Sequence, residues 1–108
     1  MWRVPLLPDG SVAKVSQFFT SYGPSGPDGL AVDAEGHLLV ANPGLGYVWV
    51  LNHRAEPVQV LRGAPGSSTT NLAFGGAGRT TVYVTDSTHG RILRADMGAP
   101  GLPLARSR

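Results

Sequence analysis

Cysteine is absent from this chain. That removes disulfides and thiolate metal sites and leaves the redox compartment open. Charge is sparse, with a formal net charge of +2 and only 15% of residues charged. So mild a surplus gives no argument for nucleic acid, although Arg79, Arg91, Arg94, Arg106 and Arg108 lean toward the end of the chain. No apolar run approaches the roughly 20 residues of a membrane span. No signal peptide is visible, because Arg3 is followed at once by Pro5, Pro8 and Asp9. The expected protein is soluble, with no nucleic-acid or membrane partner and no compartment named. No stretch keeps a helical apolar period together with a start signal. The Gly-x-Ser-x-Gly elbow, the His-Glu-x-x-His zinc motif, the phosphate-cradling lysine loop and the Asp-x-Asp-x-Asp-Gly calcium loop are all missing.

What the chain has is glycine (15) and proline (9), as many tight turns require, and a phrase that occurs twice. Residues 29–42, running Gly-Leu-Ala-Val-Asp to Leu-Leu-Val-Ala-Asn, are echoed by residues 71–86, running Asn-Leu-Ala-Phe-Gly-Gly to Val-Tyr-Val-Thr-Asp. Leu30 aligns with Leu72, an offset of 42 residues. Each copy is a short apolar strand, a glycine turn, a second apolar strand and a polar stop. Repeats of about 40–45 residues built this way are the signature of β-propeller blades. The fold class is all-β, with four-stranded antiparallel blades.

The 108 residues hold about two and a half blades, whereas a closed ring takes about 4–8. The expectation is an incomplete ring: a piece of a larger propeller rather than a self-assembling subunit. Strands are expected at 2–7 and 12–19 around the Pro8-Asp9-Gly10 turn, forming a half blade over 1–26. A full blade spans 27–68, with strands at 30–32, 38–41, 47–51 and 57–61. A partial blade spans 69–97, with strands at 72–74, 81–85 and 91–95, and a frayed tail follows over 98–108. Trp2, Tyr47, Trp49 and Tyr83 fall within strands and are expected to pack. Outer blades with uncovered faces and edges predict a weakly stable, aggregated or self-associating chain.

In a propeller the first strand of each blade lines the central channel, so the loops entering those strands are where chemistry converges. Gly26-Pro27-Asp28-Gly29 is one such loop. Proline fixes one φ and glycine frees the next, which directs the Asp28 carboxylate toward the axis. The alternative is an ordinary turn aspartate, the assignment given to Asp9. The second entry loop places Thr70 where Asp28 stands and Asn71 where Gly29 stands, each with a neutral oxygen or a bond to its own backbone. Asp86 and His89 flank a turn and are assigned to the surface. His37 and His53 lie at turns without ligand partners nearby in sequence.

The ordered phrases Gly26-Pro27-Asp28-Gly29-Leu30-Ala31-Val32-Asp33-Ala34-Glu35-Gly36, Leu39-Val40-Ala41, Thr70-Asn71-Leu72-Ala73-Phe74-Gly75-Gly76 and Val82-Tyr83-Val84-Thr85 resemble the C-terminal part of the gluconolactonase/regucalcin (senescence marker protein) family. The resemblance covers about residues 2–97. It implies a six-bladed propeller with one divalent metal in the channel, Ca²⁺ before Zn²⁺ or Mg²⁺, hydrolysing sugar lactones. It also implies that Asp28 is a metal ligand and the general base. The family's other ligands, a Glu and an Asn, have no counterpart here, so the chain alone is expected to be inactive and to bind metal weakly. Residues 27–42 also resemble the NHL repeat, a non-catalytic propeller scaffold for protein or RNA binding.

Overall fold

The structure, a computed structural model, describes residues 1–105. It contains nine strands: β1 (Trp2–Arg3), β2 (Ser16–Gln17), β3 (Leu30–Val32), β4 (Leu38–Asn42), β5 (Tyr47–Leu51), β6 (Pro57–Arg62), β7 (Thr69–Gly75), β8 (Thr81–Asp86) and β9 (Arg91–Asp96). They form three antiparallel sheets in chain order: the hairpin β1-β2, the blade β3-β4-β5-β6 and the three-stranded blade β7-β8-β9. The only helical elements among the described residues are two 3-10 turns, Pro43–Leu45 and Ala77–Arg79.

Strand alternation builds the core. Leu39 and Ala41 on β4 and Val48 and Val50 on β5 point toward the second blade, and Leu72, Val82 and Val84 point back. All seven are buried, and Phe74, Leu61, Leu93 and Met97 close the margins. This one apolar seam between two sheets is the main hydrophobic contribution of the fold, at about 25 cal/mol per Å² of apolar surface removed from water. On the far side of the first blade, Phe19 meets Trp49 edge-on at 5.8 Å, and Trp49 meets Tyr47 at 5.6 Å.

The first strands of the two blades touch. The Gly29 N–H donates to Thr70 C=O at 2.9 Å. A Cβ on Gly29 would lie 2.7 Å from the Asn71 Cα, closer than real Cβ atoms come to backbone. Glycine is therefore required here by approach rather than by φ. One residue earlier on β7, the Thr69 hydroxyl donates to Tyr47 C=O (2.6 Å) and lies 3.2 Å from Asn42 C=O.

Three expectations change. The N-terminal hairpin forms, but its ladder is short: Trp2 pairs with Gln17, Arg3 with Ser16, and Leu6 bridges Val12 one register away. Pro5 lies at the slip and has no N–H to give. Trp2 does not pack: it is 70% exposed, because nothing among the described residues covers the hairpin's outer face. The tail is not frayed through residue 102. Ala34 N–H donates to Pro100 C=O (2.8 Å), Gly101 N–H to Arg79 C=O (2.9 Å) and Leu102 N–H to Val32 C=O (2.9 Å). Residues 106–108 of the expected tail lie outside the described residues.

The seam yields a stability test. Leu39 is fully buried in it, whereas Val58 on β6 is 52% exposed. Leu39→Ala is expected to cost about 2–5 kcal/mol, a large share of a small domain's stability. Val58→Ala should stay within about 0.5 kcal/mol. Urea titrations followed by circular dichroism check both.

Candidate functional site

Asp28 stands at the entry to β3. Its N–H donates to Ala41 C=O at 2.8 Å, and Ala41 N–H returns a bond to Gly29 C=O at 2.9 Å. Together with the Gly29–Thr70 bond, this anchors the loop backbone to β4 and to β7. The residue is exposed, and its carboxylate accepts no hydrogen bond and joins no ion pair among the described residues. A fixed backbone thus carries an uncommitted carboxylate at the mouth formed by the two entry loops.

Beside it, the neutral oxygens of the second entry loop are already engaged. Asn71 Oδ1 accepts from Leu72 N–H at 2.9 Å, the local backbone bond foreseen as the alternative. The Thr70 and Thr85 hydroxyls share a 2.8 Å bond, and Asn71 N–H donates to Thr85 Oγ1 at 3.0 Å. Thr85 was not foreseen here. Its signal was its place beside Asp86 at the polar end of the second strand.

Asp33, Glu35 and His37 bring donor atoms within 4.8 Å of one another, a cluster not expected from the sequence. Its geometry is that of a turn between β3 and β4. Asp33 Oδ1 accepts from Glu35 N–H (2.9 Å) and His37 N–H (2.8 Å), and Oδ2 lies 2.9 Å from His37 Nδ1. Asp33 is buried, so these bonds satisfy it. The turn sits at the exit of β3, five residues from Asp28. At about 3.3 Å per extended residue the two lie roughly 16 Å apart, too far to share one ion.

A family model described as SMP-30/Gluconolactonase/LRE-like region matches residues 1–98. The chain belongs to this family. No curated protein gives a match. The gluconolactonase-like assignment agrees with the all-β blades. Among the described residues, no helix is long and apolar enough to cross a membrane.

Asp86 departs from its surface assignment. In this gluconolactonase-like chain it is almost fully buried, at the end of β8. Its Oδ2 accepts from Ser67 Oγ (2.9 Å) and Arg91 Nε (3.1 Å) and lies 2.8 Å from His89 Nδ1. Its Oδ1 accepts from Ser68 N–H at 3.1 Å. Burial alone would raise its pKa, but the His89 imidazole, the Ser68 amide, the Ser67 hydroxyl and the Arg91 guanidinium hold it well below the usual carboxylate range. Ser67 donates to the carboxylate rather than to the imidazole, so the group is not a nucleophile–base pair. It clasps the interblade connection. Asn42 holds the matching place in the first blade: its Nδ2 donates to Ser25 C=O (3.2 Å) and its Oδ1 accepts from Trp49 Nε1 (3.3 Å).

The folded-state pKa of Asp86 lies below the unfolded value of about 3.9, so its contribution is complete above about pH 5 and is lost as pH falls toward the folded value. Thermal midpoints of the wild type should drop between pH 5 and 3. Asp86→Asn should melt lower at pH 7 and show a flatter acid dependence. Equal slopes for the two proteins would remove Asp86 as the cause.

Proposed function

We propose that this chain supplies part of a divalent-metal-dependent lactone hydrolase, with Asp28 as one oxygen ligand and as the base that accepts a proton from the attacking water. The observation that carries the proposal is the uncommitted Asp28 carboxylate on a backbone pinned to both blades; membership of the SMP-30/gluconolactonase family supports it. A hard cation such as Ca²⁺ favours oxygen donors and takes about 6–8 of them. The Asp28 mouth offers one free carboxylate, and the Asn71 oxygen beside it is already bonded. The donors of this chain therefore do not complete such a site. Further oxygens would come from additional blades. The role left to this chain's own residues is positional: Ala41 and Thr70 fix the loop, and Asp28 presents its carboxylate as proton acceptor.

Two outcomes are expected. The chain alone should hydrolyse glucono-δ-lactone no faster than buffer with Ca²⁺ and show no micromolar Ca²⁺ affinity by calorimetry. Joined to blades that present Glu and Asn oxygens at the same mouth, it should gain activity that Asp28→Asn lowers by about 10²–10⁴-fold. Micromolar affinity in the chain alone, lost in Asp28→Ala, would overturn the shared-site arrangement.

The strand order also predicts self-association. β6 covers the outer edge of β5 in the first blade, but among the described residues β9 has no such neighbour in the second. An uncovered edge is a template for another strand. Sedimentation velocity should show mass rising with concentration; one monomeric boundary at all concentrations would contradict this.

A further inference from the structure

We infer that the channel-side face of the two blades holds a second site, for a small aliphatic monocarboxylate. It stands apart from the Asp28 proposal and needs no metal. A cavity of about 340 Å³ lies between the first strands, with Leu30, Ala31 and Val32 on one side and Leu72, Ala73 and Phe74 on the other. Leu102 and Leu104 of the tail and Arg79 complete its lining. That volume is at the small end of ligand pockets, about 300–1,000 Å³, which suits a medium-length alkyl chain. The walls are otherwise apolar, and the one charged residue among them is Arg79.

Two further observations mark Arg79. Its φ is +55°, a left-handed conformation that side chains other than Gly, Asn and Asp avoid. Such outliers cluster at ligand clamps, where surrounding structure holds them. Here the hold is visible: Arg79 N–H donates to Gly76 C=O (3.1 Å), and its C=O accepts from Gly101 N–H (2.9 Å). Its side chain makes no hydrogen bond or ion pair among the described residues. A guanidinium with no partner among the described residues, on a residue that lines an apolar cavity, complements a carboxylate with an alkyl tail.

The tail acts as the lid. Gly101 bridges Asp33 and sits so close to the Phe74 ring that a Cβ would collide with it. That contact brings Leu102 and Leu104 over the first strands. Residues 99–105 lie beyond the family match, which ends at residue 98. The lid belongs to this chain and not to the matched region.

The test uses the full chain, with octanoate and octanol as probes, followed by amide chemical shifts. Octanoate should saturate and move the Leu30, Ala31 and Ala73 signals. Arg79→Asn suits the left-handed backbone and removes the charge. It should weaken octanoate by about tenfold or more and leave octanol unchanged. Leu104→Glu places a carboxylate at the lid and should weaken octanoate more than octanol, and it decides the matter if Arg79→Asn does not fold. No saturable octanoate binding, or an equal loss for both probes, would overturn the site.

Discussion

The architecture depends on one close approach, where the loop entering the first blade lies directly against the start of β7. Gly29 has no side chain, so its amide reaches Thr70 C=O and its Cα side reaches Asn71. This contact sets the two first strands side by side. Every side chain at that mouth, Asp28 included, takes its position from it. The apolar seam of Leu39, Ala41, Val48 and Val50 against Leu72, Val82 and Val84 then closes behind the contact. Burial supplies most of the stabilisation, but it is non-directional; the backbone bonds choose the geometry.

The two polar clusters divide along the same strand. At the entry of β3 a carboxylate is exposed and unengaged. At its exit, Asp33 is buried and fully used by its own turn. The residue types are nearly alike and the chemistry is opposite, because a carboxylate that already accepts three bonds has little left for a ligand. Asp86 is the same case in the second blade, with a serine hydroxyl and a guanidinium added.

The repeat made the blades legible. The Leu30/Leu72 offset gave the strand order and the antiparallel pairing, since apolar alternation and glycine turns are local signals. What stayed hidden was set by contacts distant in sequence. The burial of Asp86 depends on Ser67 and Ser68, which come alongside it only when β7 pairs with β8. The tail looked loose because its glycines and prolines carry no strand pattern; its order comes from bonds to Val32, Ala34 and Arg79. The Asp33 cluster was missed for a different reason. Its members alternate along one turn, and the sequence shows their spacing without showing that they converge.

The matched clasps at Asn42 and Asp86 have a mechanical consequence. Each ties the end of a second strand to the segment arriving before its own blade, Ser25 in one case and Ser67 in the other. Each incoming connection is thus moored to its sheet by directional polar links, while the greasy interior presses the sheets together without direction.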